Sequence, residues 1–401
     1  MKVAVIGAGV AGVACARRCL ENGYHCTVYE RTNCVGGTWV YVEKVGTDEF
    51  GLPIHTSMYQ NLMTNLPKEL MYFPDFPYED NSDSYSLIKA HEVQNYIERF
   101  VDHFKLRKHI RFCNLVISVE KLVDTNSWQV TAEDLITKKS NTENYDAVMV
   151  CNGHNAVPSM PKIIGMNEFS GISLHSHDYR VPENFANMNV LIIGSGPSGV
   201  DISVDVAKVA KQVFLSHHNE KILSKKFPSN VIHKPDVESI SKNTVCFNDN
   251  SIAEMDAIIY CTGFKIALPF LKSSCGINVE DKLITPLHKI IININNPTMG
   301  FIGFLNMTFI FRVFDLQVRY FLKFFQNHLN RCPQNMDFMV EAKTHFIGDS
   351  VFNYCKSIAN ELQIEPIPDI FFEIYRLRGS ICFDGNPSSE KELPIPHTAT
   401  E

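Results

Sequence analysis

The sequence lacks the marks of several large protein classes. It has no basic excess: 37 Lys and Arg stand against 44 Asp and Glu, a formal net charge of −7. Proteins that grip nucleic acid or an anionic membrane usually present a basic face, and this balance offers none. Twelve cysteines are scattered without one CxxC pair, so a zinc cluster or redox disulfide lacks its spacing. Cys15 and Cys19 sit one turn apart in an expected helix, and buried free thiols are the reading for most of the twelve. The most apolar stretch, Met299 to Phe311, contains Asn306, is closed by Arg312 and is too short to span a bilayer. Asn306-Met307-Thr308 matches a glycosylation acceptor, but its apolar setting argues for burial. No leader is visible, since Met1 to Gly12 runs straight into a strand and a glycine loop. The polar, Pro-rich end GNPSSEKELPIPHTATE offers no membrane anchor. The expectation is a soluble protein, cytoplasmic or, if a leader has been removed, secreted.

Against these absences, one pattern occurs twice. KVAVIGAGVAGVACARRCLENGYHCTVYER opens with an apolar strand, Val3 to Ile6, then glycines at 7, 9 and 12, an Ala-rich helix, and a second strand ending at Glu30. Gly7 permits the tight turn, Gly9 lets the backbone approach a pyrophosphate, and Gly12 lets helix and strand pack closely. Val10 and Ala11 open the helix, whose N-terminus supplies partial positive charge for phosphates. Glu30, followed by Arg31, accepts hydrogen bonds from a ribose diol. NVLIIGSGPSGVDISVDVAKVAKQVFLSHH repeats the design with Gly194, Ser195, Gly196, Pro197, Ser198 and Gly199, but its second strand ends at Ser216. An acid there would repel a 2′-phosphate, whereas a hydroxyl and imidazoles donate to one, which favours NADP over NAD. The Arg expected for that phosphate is not in the immediate run. Ser216, His217, His218 and Lys221 are the available donors, with plain surface side chains the alternative for the two histidines.

One dinucleotide site suits a dehydrogenase. Two suit an enzyme that passes a hydride from a nicotinamide to a bound flavin, with FAD held in the first unit by its ADP half. Tyr145 to Asn152 and Met255 to Cys261 read as strands closing the two sheets. Gly153 follows the first, and Thr262-Gly263 the second, where backbone can lie close to a cofactor. Helices are expected over Leu87 to His103 and Leu316 to His328, and Lys105 to Asn144 reads as β-rich. FSGISLHSHDY, residues 169–179, fits neither a strand's alternation nor a helical stripe.

These residues are similar to the flavin-containing monooxygenases, which carry FAD and NADPH sites on one polypeptide. The matching residues run from Val3 to about Arg319. They are GAGVAG at 7–12, Glu30 with GGTW at 36–39, TNLPKELMYFPDFPY at 64–78, FSGISLHSHDY, GSGPSG at 194–199, CTGF at 261–264 and LQVRY at 316–320. Phe-x-Gly-x-x-x-His-x-x-x-Tyr is the family's identifying motif. Related Baeyer–Villiger enzymes usually end it in Trp, so Tyr179 points to heteroatom oxygenation. The short C-terminus and the LSHH run resemble the soluble insect members, which include the pyrrolizidine-alkaloid (senecionine) N-oxygenases.

The resemblance implies an α/β chain with two Rossmann-like domains, the smaller NADP domain (165–262) inserted into a larger FAD domain (1–164 and 263–401). It implies N- or S-oxygenation by FAD and NADPH through a C4a-hydroperoxyflavin, with molecular oxygen and a small amine or sulfide as partners. Neither nucleic acid nor a membrane anchor is expected, and a homo-oligomer stays open. Asn65, after Thr64 in TNLPK, matches the family's Asn beside the flavin and is the expected catalytic residue. An amide both donates and accepts; an ordinary loop Asn is the alternative. Gly37, Thr38 and Trp39 are expected over the ribityl or pyrophosphate part, with Trp39 as plain core the alternative. Gln317 and Arg319 match a Q-x-R element near the cofactors, and Arg319 pairs either with a phosphate or with an acidic neighbour. The identifying motif is expected in the linker between the domains, with Phe169 and Tyr179 packing, Gly171 as a turn and His175 forming hydrogen bonds. A disulfide-reductase reading would need a dithiol beside the flavin, and no pair has that spacing. A broad amine and sulfide oxygenase, or an uncoupled NADPH oxidase, is the remaining alternative.

Overall fold

A computed structural model describes residues 1–79, 86–219, 222–223, 226–305, 309–328 and 350–381. Lys221, Asn306 to Thr308 and the polar tail named above lie outside them. The chain divides into two compact units. The first comprises Met1–Asn81, Ile88–Ser159 and Gly263–Phe372; the second is built on Met160–Thr262.

β1 (Lys2–Ile6) is buried from Val3 onward, as a strand covered on both faces must be. The chain leaves it through the first glycine loop into α1 (Val10–Glu21) and returns as β2 (His25–Tyr29), parallel to β1. α2 (Ala90–His103) and β3 (Ile110–Arg111) follow. β4 (Asn114–Leu122), β5 (Ser127–Asp134) and β6 (Lys139–Tyr145) form a separate antiparallel sheet. β7 (Ala147–Val150), wholly buried, returns beside β1, and β8 (Val157–Pro158) ends this part.

The second unit starts its sheet with β9 (Ile172–His175) and β10 (Asn189–Ile193). The second glycine loop leads into α3 (Pro197–Ala207), β11 (Gln212–Ser216) and β12 (Val231–Lys234). An antiparallel trio, β13 (Val237–Ser241), β14 (Thr244–Phe247) and β15 (Ile252–Glu254), precedes β16 (Ala257–Tyr260). The chain then re-enters the first unit. β17 (Phe264–Lys265) pairs with β8, and β18 (Asn278–Glu280) with β19 (Leu283–Thr285). β20 (Leu287–His288), β21 (Ile292–Asn293) and β22 (Met299–Phe301) extend the first sheet, before α4 (Ile310–His328), α5 (Val351–Leu362) and α6 (Asp369–Ile381).

The two sheets share one plan. The first runs β20-β21-β22-β7-β1-β2-β3 and the second β12-β11-β10-β16-β9. In each, the strand that feeds a glycine loop lies inside the sheet, flanked by parallel neighbours. α2 starts at Ala90, later than expected, because Glu92 reaches back to the Lys89 N–H and caps the helix there. α4 starts at Ile310, earlier than expected, because buried Phe311 and Phe314 carry its apolar stripe back. Among the described residues no helix is long and apolar enough to cross a membrane.

The 169–179 motif is not a linker. It lies inside the second unit, and residues 172–175 form the edge strand β9, paired in parallel with β16. Phe169 packs on the cluster of Leu191, Ile258 and Tyr260. Gly171 is needed for space rather than for a turn: a Cβ there would sit 2.3 Å from the Asp256 carbonyl oxygen. His175 is buried, and its Nδ1 accepts the His177 N–H at 3.1 Å. Buried Tyr179 donates its hydroxyl to Asp205 on α3 at 2.7 Å, so the motif ties strand edge to helix.

A buried ion pair ties the first loop's helix to the returning chain. Arg18 on α1 grips Asp315 on α4 through Nε (2.6 Å) and Nη2 (3.1 Å), with both side chains 6% exposed. Arg319 also donates to Asp315, at 2.8 Å. Of the two partners expected for Arg319, the structure supplies the acid.

Asp315→Ala removes the bidentate partner of buried Arg18, which keeps Glu21 (2.7 Å) and Asp75 (2.9 Å), and should cost about 2 kcal/mol in denaturant unfolding. Asp315→Asn should cost less. Tyr179→Phe should cost about 1–2 kcal/mol, because buried Asp205 loses a donor. A thermal midpoint unchanged in both Asp315→Ala and Tyr179→Phe would contradict these assignments.

Candidate functional site

The first cradle forms where β1 meets α1. Gly7 has φ +102°, and a Cβ on it would lie 2.7 Å from the Cys151 carbonyl oxygen. A Cβ on Gly12 would lie 1.8 Å from the Gly7 carbonyl oxygen, so helix and strand touch through bare backbone. α1 has no acidic residue in its first turn, leaving the N–H groups around Val10 and Ala11 facing an uncompensated positive end. Glu30 is 6% exposed and serves the loop: one oxygen accepts the Ala8 N–H at 2.7 Å, the other the N–H and hydroxyl of Thr32, both at 2.8 Å. The first of these oxygens, with one bond accepted, retains a lone pair for a ribose hydroxyl. Arg31 turns elsewhere, to Asp48 (3.2 Å) and the Pro53 carbonyl (2.6 Å), and braces that loop.

Gly37 approaches Gly9 so closely that a Cβ on it would lie 3.0 Å from the Gly9 Cα. The GTW turn is held by Thr56, whose hydroxyl donates to the Thr38 carbonyl at 2.8 Å. Trp39 is half-buried, not plain core, and its indole Nε1 is buried with no protein partner among the described residues. Asn152, just before Gly153, donates to the Ala267 carbonyl at 3.3 Å, while its Oδ1 is buried and unpaired. Orphaned buried polar atoms are rare in finished sites. Together with the bare-backbone cradle they fit a polar cofactor such as FAD lying along this loop.

Asn65 stands on a clamped turn. Thr64 donates its N–H to the Ile88 carbonyl (2.8 Å) and accepts the Ile88 N–H on its hydroxyl (3.1 Å). The Asn65 side chain is exposed, and its amide has no partner among the described residues. Gln317 differs from its expected role. It is wholly buried, its Oε1 accepting the Gly303 N–H (3.2 Å) and its Nε2 donating to the Tyr354 hydroxyl (2.8 Å). With both ends of the amide engaged inside the protein, Gln317 braces Gly303 rather than touching a ligand directly. Gly303 in turn abuts the Ala11 side chain, and its carbonyl oxygen accepts from His154 Nδ1 at 3.1 Å.

The second cradle repeats the first. Gly194 has φ +105° with the Cys261 carbonyl beneath it, and a Cβ on Gly199 would lie 1.9 Å from the Gly194 carbonyl oxygen. α3 opens with Pro197 and carries no acid in its first turn. A cavity of about 860 Å3 is lined by Gly194, Ser195, Gly196, Ser216, His217, His218, Asn219, Asp236 and Thr262, with Ile193 at its base. Ser198 lies in the helix's first turn, and Gly263 belongs to the first unit, where its carbonyl accepts the Ser159 N–H.

Two of the expected phosphate donors are engaged within the protein. The Ser216 hydroxyl donates to the Pro235 carbonyl at 2.8 Å. His217 Nδ1 accepts the Asn219 N–H at 3.2 Å, so in the neutral ring Nε2 carries the hydrogen and donates to His233 Nδ1 at 2.8 Å. Burial, then the neighbouring His233, pushes the His217 pKa down and favours that neutral ring. His218 is exposed, with Nδ1 at 3.1 and 3.2 Å from the two Asp236 oxygens. Sequence reading missed Asp236, Asn152 and Thr56. A usable signal existed for Asn152, which adjoins the glycine after a closing strand; Asp236 needs the register of β12 against β11.

A family model described as flavin-binding monooxygenase-like matches residues 1–230 and 218–370. Senecionine N-oxygenase of Tyria jacobaeae is 33% identical over 96% of this chain and 87% of its own length. Flavin-containing monooxygenase FMO GS-OX3 of Arabidopsis thaliana is 36% identical over 79% of this chain and 72% of its own. Among solved structures, S-allyl-L-cysteine S-oxygenase from Allium sativum is similar with a TM-score of 0.83 at 28% identity, covering 94% of this chain and 92% of that one. Tmm from Pelagibacter sp. strain HTCC7211 gives 0.82 at 25% identity, covering 94% and 90%.

Gly9→Ala separates packing from ligand contact. Its Cβ meets Gly37 Cα at 3.6 Å and Gly37 N at 3.9 Å, ordinary contacts, so the fold should survive with a thermal midpoint within about 2 °C when cofactor is stripped from both proteins. Bound flavin per chain should nonetheless fall several-fold. Gly12→Ala should lose both fold stability and flavin. Full flavin content in Gly9→Ala would remove that backbone from the cofactor site.

Proposed function

This chain belongs to the flavin-binding monooxygenase-like family, and from that premise we propose that it N-oxygenates a tertiary amine of the pyrrolizidine-alkaloid class. The enzyme is an FAD- and NADPH-dependent monooxygenase. We assign FAD to the first cradle and NADPH to the second. The observation that carries the substrate class is the near full-length similarity to senecionine N-oxygenase. The similarity to S-allyl-L-cysteine S-oxygenase from Allium sativum supports a second reading, oxygenation of a thioether.

Bound FAD, reduced by NADPH, supplies the activation of molecular oxygen. The chain's residues do the rest by binding and orientation. In this reading the N-terminus of α1 and the Gly9 backbone hold the pyrophosphate, and Glu30 takes the ribose hydroxyls. Asn152 Oδ1 and Trp39 Nε1, buried without protein partners, receive polar groups of the cofactor. Asn65 is the catalytic candidate. Its Nδ2 would donate to, and its Oδ1 accept from, polar groups of the bound cofactor, and neither atom titrates. A carboxylic acid at that place would deliver a proton and release oxygen as peroxide; an amide holds a hydrogen bond without that loss. Thr64 fixes the turn that presents the amide.

NADPH oxidation by purified enzyme, with peroxide assayed in parallel, tests the reading. Adding senecionine should lower peroxide and yield the N-oxide. Consumption of NADPH to peroxide regardless of the alkaloid, with product only from a thioether, would favour the second reading. Asn65→Ala should retain FAD while oxygenated product falls by about 10²-fold and peroxide rises in its place, the scale expected for loss of one positioned donor. A fully coupled Asn65→Ala enzyme would sink this assignment.

A further inference from the structure

A Rossmann sheet usually reads the adenosine ribose with an acid that ends its second strand. In the second unit that place is Ser216, which carries no charge. The structure brings an acid to the same place from the neighbouring strand. β12 runs parallel to β11 with Lys234 opposite Ser216. The His217 N–H donates to the Lys234 carbonyl at 2.9 Å, and the Ser216 hydroxyl to the Pro235 carbonyl at 2.8 Å. Asp236 is thereby pinned beside the end of β11, and its backbone carbonyl is held by the Asn248 N–H at 3.0 Å.

Asp236 lines the cavity that Gly194, Gly196 and Ser216 also line, and it is the one Asp, Glu, Lys or Arg among the described lining residues. Its side chain is 49% exposed, open to a ligand from one side and bonded to His218 Nδ1 on the other. The nearest cation of β12 is occupied: Lys234 Nζ bonds Ser251 at 2.8 Å and lies over the Phe247 ring. His217 is bonded to His233.

We propose that Asp236, held by His218, sets the choice between nicotinamide cofactors, and that this cavity accepts NADH as well as NADPH. This rests on the reading of the second cradle as the nicotinamide-dinucleotide site. A free ribose 2′-hydroxyl donates to the Asp236 carboxylate. A 2′-phosphate meets a like charge there, offset in part by the His218 N–H. Neither dinucleotide is therefore strongly excluded. Removing the carboxylate both lifts the repulsion and frees His218 to donate to the phosphate.

Isothermal titration of FAD-loaded enzyme with NADP⁺ and NAD⁺ tests this without turnover. In the natural enzyme the two dissociation constants should agree within about tenfold, a gap of about 1.4 kcal/mol. Asp236→Asn, isosteric and half-exposed, should tighten NADP⁺ by about tenfold and weaken NAD⁺ a few-fold. His218→Ala should weaken NADP⁺ and leave NAD⁺ within about twofold. The same shifts with 2′,5′-ADP against 5′-ADP would locate the effect at the ribose end. A preference for NADP⁺ above about 100-fold that Asp236→Asn leaves unchanged would overturn the proposal. If the FAD-loaded enzyme binds neither dinucleotide, the reading of the cradle fails and the proposal with it.

Discussion

The two glycine-loop cradles depend on one contact, made twice. The third glycine of each loop presses on the carbonyl of the first, so that a methyl group on Gly12 or Gly199 would lie inside 2 Å of backbone oxygen. No side chain fits there. The contact brings the start of a helix against the end of a buried strand, and two consequences follow. N–H groups converge at the helix N-terminus with no acid in the helix's first turn. The helix must also cover the sheet at a short distance, which explains the small residues Ala14 and Ala16 and the buried thiols Cys15 and Cys19 on α1. Cys15 meets Cys151 at 3.4 Å, and burial pushes its pKa well up, so these cysteines act as small packing groups.

A contact made of bare backbone is only as firm as what holds its two sides. In the first unit the helix is held by Arg18 and Asp315, residues far apart in sequence that are both removed from water. Such a pair adds little net stability over apolar packing, but breaking one side leaves the other charge only its more exposed partners, Glu21 and Asp75 for Arg18 or Arg319 for Asp315. Its value lies in position: α4 can dock on α1 only where the carboxylate meets the guanidinium. The same helix carries Gln317, whose amide fixes Gly303 against Ala11. The cradle that starts at Gly7 is thus completed by chain that arrives 300 residues later, after the second unit has been built.

Much of this was legible in the sequence, for local reasons. β10 and β11 have apolar centres, Val190 to Ile193 and Val213 to Leu215, bounded by glycine or polar residues, and their ends were readable to the residue. Both loops were readable because a strand, three spaced glycines and a helix must follow one another along the chain. What stayed hidden was set by pairing between distant segments. The 169–179 motif looked irregular because its strand is only four residues long and sits at a sheet edge, where Ile172 and Ser173 are exposed and the alternation is lost. Gln317 looked like a ligand because nothing in its own helix shows that Gly303 and Tyr354 take both ends of its amide. Ser216 and His217 looked like free donors for the same reason.

The two cradles also show how a shared plan permits different endings. In the first, the acid proposed to read the ribose is Glu30, which follows the second strand directly and already accepts three hydrogen bonds from Ala8 and Thr32. Its position and the loop's shape are one network, so the acid cannot change without disturbing the loop. In the second, the acid comes from the next strand over and is half-exposed, with an imidazole as its partner. No hydrogen bond from its carboxylate supports the glycine loop. The physical requirement on the two sites therefore differs: on the proposed roles, the first would couple ligand choice to folding, while the second would let it vary at Asp236 and His218 without disturbing the contact between Gly194 and Gly199.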